Sequence, residues 1–186
     1  MLALKQRLIF MLLLWAGALW AWRNTRLEAP PPAPDRRREL RAIALRFAII
    51  APALTLTAWL ALPDFFLGFP RERPMLWLAV MIGYPLLSVW PQEMLYRRFL
   101  FSRYAPLFGA GRGCIAASAL AFGYAHIILM NAIAPVATAA AGLLFAAAYA
   151  RHRSLMLVCL EHALYGCVIY TVGLGVFFYT GAAWHP

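Results

Sequence analysis

The sequence predicts an all-α fold, a polytopic integral membrane helical bundle with about six transmembrane helices. Apolar residues fill 64% of the 186 positions and charged residues only 13%, which is more apolar surface than a soluble domain can keep inside. Aromatic residues account for 15%, and the tryptophans lie mostly near the ends of apolar runs, where an amphipathic ring favours the headgroup level of a bilayer. The positions of the apolar runs predict where the individual helices lie along the chain.

A spanning helix needs roughly 20 mostly apolar residues, and six segments approach that length. The first and third of them are short. The segments are Leu8–Trp22, Ile43–Leu62, Met75–Trp90, Gly113–Met130, Ala132–Ala150 and Ser154–Tyr179.

The first segment is followed by arginines and not by a small-residue cleavage site, so we expect it to remain as an anchor. After it, Glu28–Arg41 (EAPPPAPDRRRELR) cannot pack in lipid, because prolines lack backbone donors and the charges require water. We therefore predict two regions, an N-terminal anchor with a Pro/Arg-rich cytoplasmic linker at 1–41 and a helical core at 42–186. The RRR run is interpreted as a solvated face attracted to anionic lipid.

The later segments carry packing signals. Pro135 suits a first helical turn and Asn131 suits the cap before it, which predicts a tight hairpin between the fourth and fifth helices. Small residues recur every four positions along the fifth helix and favour close approach of a neighbour; they are Thr138, Gly142, Ala146 and Ala150. Glycines around Gly173 predict a bend or break in the last segment.

The net charge of +10 is distributed along the chain as clusters at segment ends, which favours a role in topology over nucleic-acid binding. With six spans, the three main arginine clusters fall on one side, so the positive-inside rule predicts cytoplasmic arginine-rich loops and both termini outside. We expect a multi-pass protein of the cell inner (cytoplasmic) membrane, whose surroundings are the lipid bilayer and whose partners include no nucleic acid. The clusters are Arg23–Arg46, Arg97–Arg112 and Arg151–Arg153.

The three cysteines, Cys114, Cys159 and Cys167, lie in apolar surroundings without a CxxC pair or metal-ligand spacing. They predict neither a disulfide framework nor a metal site. We interpret them as small packing residues.

Ionisable residues are sparse in the apolar back half of the chain, and these few groups are the candidate site. A charge at bilayer depth costs about 2.5 kcal/mol or more, so such a group usually faces a partner or a water-filled cavity. The candidates lie on three different segments: Glu93, Arg97, His126, Glu161 and His162.

Each candidate also has a purely structural interpretation. Pro91 suits the first turn of a new helix, on which Glu93 and Arg97 are four residues apart, so Arg97 can orient the carboxylate. Alternatively, Glu93 only satisfies early backbone donors of that helix, and Arg97 and Arg98 mark the cytoplasmic boundary of the membrane. His126 can be a hydrogen-bonded core histidine. Glu161 can form an interhelical ion pair, for example with an arginine near Arg97.

Taken together, a carboxylate, two imidazoles and an arginine on three apolar helices favour a shared polar pocket that activates water. In order and wording these motifs resemble the CPBP family, which groups CAAX prenyl endopeptidases with bacteriocin-processing and Abi-type membrane proteins; the chain is similar to a divergent bacterial member. The resemblance covers about Tyr84 to Tyr170. It is carried by Gln92, Glu93 and Arg97, by Phe122 with His126, and by His162.

The resemblance implies an all-helical intramembrane bundle that hydrolyses a peptide bond of a peptide or protein substrate at the membrane. It implies that Glu93 and His126 activate water, that Arg97 orients the glutamate and that His162 helps to stabilise the oxyanion. It implies no cofactor, metal or covalent enzyme intermediate.

Two positions depart from the family pattern. Gln92 replaces the leading glutamate of the first motif, so either Glu93 serves instead, or Glu161 supplies the missing carboxylate, or peptidase activity is lost. Gly166 stands where a polar residue usually follows the last histidine by four positions, so an oxyanion donor has to come from elsewhere, with Asn131 and Tyr165 as candidates.

Two other functions remain open at this point. One is a non-catalytic membrane binding or immunity protein that keeps the pocket, which the departures at Gln92 and Gly166 favour. The other is a metal site formed by His126, His162 and a glutamate, although no HExxH or comparable ligand spacing occurs.

Overall fold

A computed structural model of the chain describes residues 4–25, 35–109 and 111–178. The described residues form helices and turns without a strand. Six long helices, labelled α1 to α6 in chain order, are Leu4–Asn24, Arg36–Ala61, Pro74–Phe108, Arg112–Ala125, Ile133–His152 and Leu155–Val172. Short helical turns at Pro63–Phe65, Gly68–Glu72, His126–Leu129 and Leu174–Phe177 connect or end them.

These helices confirm the predicted helical membrane bundle. Five of those described are long and apolar enough to cross a membrane, counting α4 through to Leu129, and α1 adds a shorter apolar helix, Leu8–Asn24. Large apolar side chains such as Leu45, Ile49 and Val136 are exposed on the outside of the bundle, where lipid would cover them. The chain is a multi-pass membrane protein.

Helix α2 begins earlier than predicted. The end of the expected linker, Arg36 to Arg41, is helical, and Asp35 caps it by accepting hydrogen bonds from the backbone N–H of Arg37 at 3.1 Å and Arg38 at 3.2 Å. The helix thus runs across the predicted boundary between residues 41 and 42. Residues 28–34 of the linker lie outside the described residues.

The predicted new helix at Pro91 is wrong, because α3 runs as one helical rod of 35 residues through that proline. The rod contains two stretches of π-helix, Pro85–Val89 and Met94–Phe99, in which some hydrogen bonds span five residues. One of them joins Trp90 N–H to the carbonyl of Pro85. The first stretch begins at Pro85 and precedes Pro91, so it lies where prolines interrupt the regular α-helical hydrogen bonds of the rod.

Helix α1, the predicted anchor, packs along α3. Pro91 has no N–H, so the carbonyl of Leu87, four residues earlier, loses its usual α-helical donor. The indole Nε1 of Trp15 donates to that carbonyl at 2.9 Å, and the Trp15 ring stacks on Trp90 with centroids 5.3 Å apart. Three residues further along α1, Ala18 is fully buried. The proline in α3 therefore creates a docking point for α1.

The α4–α5 hairpin is confirmed. The Asn131 side-chain oxygen accepts the Ala134 N–H at 2.9 Å and caps α5 as predicted. A Cβ on Gly142 would lie 3.0 Å from Cα of Ala119, so the small face of α5 does bring α4 close.

The last helix ends at Val172, close to the predicted break. Gly173 follows with a φ of 103°, a conformation that favours glycine, and a side chain there would meet the carbonyl of Phe65. The predicted extension to Tyr179 lies partly outside the described residues.

The two ends of the bundle differ in polarity. Near the start of α2, Glu39 lies 3.9 Å from Arg151 at the end of α5. Arg36 also contacts the sulfur of Met156 on α6 at 3.6 Å. The starts of α2 and α6 and the end of α5 therefore meet on one side, as the arginine pattern predicts, while the assignment of that side to the cytoplasm stays a prediction.

Replacing Trp15 with Phe tests the docking of α1, because this change keeps a ring on Trp90 but removes the donor to Leu87. We expect the detergent-solubilised protein to lose about 0.5–1.5 kcal/mol of stability, the usual net value of one hydrogen bond. Trp22→Phe is the matched control, since Trp22 is exposed on the same helix. Equal thermal unfolding of the two variants would contradict this account.

Candidate active site

Glu93 is the centre of a polar cluster on the inner face of α3. Its side chain is fully buried; Oε1 lies 2.7 Å from Nδ1 of His162 on α6, and Oε2 lies 3.0 Å from Nε of Arg97. A carboxylate can only accept hydrogen bonds, so Nδ1 of His162 is the donor. We call Glu93, Arg97 and His162 the carboxylate cluster.

Arg97 is also fully buried, and several groups hold its guanidinium. Nη1 donates to Oγ of Ser118 at 2.8 Å, and that hydroxyl donates to the carbonyl of Tyr96 at 2.6 Å. The guanidinium carbon lies 4.8 Å from the centre of the Phe122 ring. Nε faces Glu93 as an ion pair without a well-aligned hydrogen bond, so charge and packing, more than hydrogen bonding, hold this pair.

The local structure of α3 places these groups. Glu93 and Arg97 are four residues apart, as the sequence predicts for a shared face. The π-helical stretch Met94–Phe99 begins between them, and Leu100 N–H bonds to the carbonyl of Leu95, five residues earlier. Such turns are often found at functional sites.

A cavity of about 670 Å³ adjoins the cluster. His126 and His162 both line it, and the ring of Phe122 lies between them, with ring centroids 4.7 Å and 5.6 Å from the two imidazoles. Nδ1 of His126 donates to the carbonyl of Phe122 at 2.8 Å. In the neutral ring Nε2 of His126 then carries the basic lone pair.

Gln92 borders this cavity, whereas Glu93 is not part of its lining. The Gln92 amide donates to Oγ of Ser88 at 2.7 Å, and its carbonyl oxygen is buried without a hydrogen-bond partner among the described residues. The described lining contains no Asp or Glu. The departure from the family pattern at Gln92 therefore falls on the cavity wall itself.

The rest of the cavity is mostly apolar, and α1 contributes to it. Phe10, Met11, Leu13 and Leu14 line one side, so the predicted anchor helix is a wall of the candidate site. An apolar peptide segment would suit such a lining.

Glu161 lies apart from the carboxylate cluster. It is fully buried and accepts two hydrogen bonds from Arg46 on α2, from Nε at 2.7 Å and from Nη2 at 3.0 Å. This is the interhelical ion pair that the structural interpretation anticipates, but its partner is Arg46 and not an arginine near Arg97. Neither Oε1 nor Oε2 of Glu161 contacts His162, the neighbour in sequence, in a described hydrogen bond.

Sequence reasoning missed Tyr84. Its hydroxyl lies 2.9 Å from Nε2 of His162, and Tyr84 also lines the cavity. The sequence offers no spacing signal for this contact, because Tyr84 and His162 are 78 positions apart. The sequence suggests Asn131 and Tyr165 as oxyanion donors. Asn131 caps α5, whereas the Tyr165 hydroxyl is buried beside the cavity without a described partner.

The alternative of a metal site finds no support in the geometry. Within the described ranges, no three His, Cys, Asp or Glu side chains are grouped as metal ligands. His162 uses both ring nitrogens in hydrogen bonds, to Glu93 and Tyr84.

The fold and the site define a class: a multi-pass helical membrane protein with a buried carboxylate, an arginine and two imidazoles beside a cavity. Residues 74–168, half of the chain, match the family model described as type II CAAX prenyl endopeptidase Rce1-like. The chain belongs to this family of CAAX-type membrane proteases, which confirms the family resemblance of its motifs. Comparison with curated proteins and with solved structures gives no match.

The family match covers only part of the helical bundle. It includes Glu93, Arg97, His126 and His162, and it leaves out α1 and α2. Arg46 and the α1 side chains that line the cavity therefore belong to the part of this chain outside the matched region.

The ion pair of Arg46 and Glu161 can be tested with single and double substitutions. Arg46→Met leaves the fully buried Glu161 unpaired and should cost about 3–5 kcal/mol. Glu161→Met leaves the partly exposed Arg46 unpaired and should cost less, and the double variant should be close to neutral. Thermal unfolding in detergent measures the three values. A folded Glu161→Gln protein with unchanged stability but no activity would instead assign Glu161 to the reaction.

Proposed function

We propose that this chain is an intramembrane endopeptidase that uses water to hydrolyse a peptide bond of a membrane-associated peptide or protein. The observation that carries the proposal is His126, an imidazole with a basic Nε2 beside a cavity that is also bordered by His162. Membership of the Rce1-like family supports the reaction class. Cleavage at a prenylated CAAX end is not required by any contact described above.

In the proposed reaction, His126 is the general base. Its Nε2 takes a proton from water as the oxygen attacks the carbonyl carbon of the substrate, and the proton then passes to the leaving nitrogen as the C–N bond breaks. The products are a carboxyl group and an amine. No covalent enzyme intermediate is formed in this scheme.

Glu93 acts in this proposal through His162 and not directly on water. Both of its oxygens face other side chains, His162 and Arg97, and the residue does not line the cavity. The carboxylate holds the His162 ring by Nδ1 and fixes its orientation at the cavity. Glu93 is then a positioning residue, and Arg97 holds it in place.

The proposed substrate enters from the apolar side of the cavity. The wall formed by α1 is apolar, and the histidines and Gln92 line other parts of the cavity. A peptide segment lying between them would place apolar side chains on α1 and its backbone near the imidazoles. We propose peptide or protein substrates at the bilayer on this basis, and the inner membrane as the location stays a prediction.

One observation favours a second function, a membrane binding or immunity protein without catalysis. The described cavity lining lacks a carboxylate, and Gln92, which cannot accept a proton as a base, stands on the wall. In that case the histidines would bind a partner and would not activate water. Both functions use the same cavity, so the variants below separate them.

His126→Gln tests the endopeptidase function, because it removes the base while retaining a polar side chain. We expect peptide cleavage to fall by about 10²–10⁴-fold, the usual contribution of a general base. A comparison of membrane proteins and their new termini between cells carrying the wild type and His126→Gln should find a precursor that accumulates only with the variant.

His152→Gln is the control at a second histidine, because His152 lies at the end of α5 outside the cavity lining. Glu93→Gln is a weaker test, since it leaves Arg97 buried without its anion and destabilises the fold. If a folded, membrane-inserted His126→Gln protein processes every precursor as the control does, the chain is not a peptidase of this type. The binding function would then be favoured.

A further inference from the structure

Tyr84 and Gly166 form a matched pair around His162. Gly166 lies one helical turn after His162 on α6, and a Cβ built on it would fall within the space of the Tyr84 ring. Tyr84 can therefore reach His162 only because residue 166 lacks a side chain. The two ring planes, of Tyr84 and His162, meet edge to face with centroids 6.0 Å apart.

The contact has a defined chemistry. Nδ1 of His162 donates to Glu93, so Nε2 of the neutral ring is an acceptor, and the Tyr84 hydroxyl is the donor. A chain of hydrogen bonds then runs from Glu93, the ion-pair partner of Arg97, through His162 to Tyr84. It ends at the cavity, which Tyr84 lines.

The two imidazoles differ in how many of their ring nitrogens are hydrogen-bonded. His162 has both ring nitrogens engaged, at 2.7 Å and 2.9 Å, so its ring plane and tautomer are determined. His126 has Nδ1 engaged with a backbone carbonyl, and Nε2 has no described hydrogen bond. Tyr84 thereby keeps His162 from acting as a second base.

We propose that Tyr84 is a positioning residue of the active site, which fixes His162 from the side of the cavity and takes the place of a polar side chain at position 166. This rests on the endopeptidase function proposed above. The neighbouring ring of Tyr170, with its centroid 5.3 Å from that of Tyr84, holds the phenol from the other side. Tyr84 touches no reacting atom in this assignment and acts through His162.

Tyr84→Phe tests the proposal, since it removes one oxygen and keeps the ring that fills the space over Gly166. With a peptide whose cleavage depends on His126, kcat should fall by up to roughly 100-fold, the cost of a misplaced catalytic group, while KM changes little. Tyr124→Phe is the matched control, because Tyr124 is exposed on the outside of α4. A kcat for Tyr84→Phe equal to that of the control overturns the proposal.

A second measurement does not depend on activity. In protein labelled with ¹⁵N at its four histidines, the ring nitrogens of His162 should report one tautomer with Nδ1 protonated and Nε2 accepting a hydrogen bond. Tyr84→Phe should shift the Nε2 signal, and Tyr124→Phe should not. An unchanged Nε2 signal would show that the hydroxyl does not bind His162 and would overturn the assignment even if the chain is a peptidase.

A rescue variant separates the effect of a polar group near His162 from the effect of the volume of the Tyr84 ring. Tyr84→Ala should be as impaired as Tyr84→Phe, and adding Gly166→Asn to Tyr84→Ala returns a polar side chain one turn from His162, in the space that the ring has left. We expect the double variant to recover kcat relative to Tyr84→Ala. If both folded proteins have the same low kcat although Tyr84→Phe is fully active, only the bulk of the ring matters and the proposal fails. Loss of His126 dependence would instead contradict the endopeptidase function.

Discussion

A fully buried guanidinium in a membrane bundle has to be matched by an anion, and Arg97 meets that requirement with Glu93. Because both charges are removed from solvent, losing either would leave the other uncompensated, at a cost of several kcal/mol. The requirement brings the inner face of α3 against α6, where His162 supplies the third member. The cavity adjoins this cluster, and a π-helical stretch of α3 begins between Glu93 and Arg97.

The bundle contains a second buried carboxylate, Glu161, and the two differ in their partners. Glu161 is bound by both oxygens to one arginine, a self-contained pair that joins α2 to α6. Glu93 divides its oxygens between Arg97 and His162, so one oxygen holds a ring that lines the cavity. The two glutamates are equally buried and differ in the number of side chains that share each one.

The sequence predicts the membrane bundle well because composition and apolar segment length are properties of each segment alone. Glu93 and Arg97 follow from helical spacing, and His162 from its motif. Tyr84, Arg46 and the cavity wall of α1 could not be predicted, since each depends on contacts between helices distant in sequence. The expected helix start at Pro91 was wrong for a related reason: proline chemistry indicates a break, but the π-helical turns that allow the chain to continue depend on its surroundings.

The hydrogen bond from Trp15 to Leu87 has a consequence for biosynthesis. Helix α1 leaves the ribosome before α3, and its acceptor is encoded 72 residues later, so the indole has no partner on α3 until that helix has been made. Helices of a membrane protein are stable individually before they associate, which allows α1 to remain in the bilayer until α3 arrives. The wall of the cavity that α1 supplies can therefore close only after α3 has been synthesised.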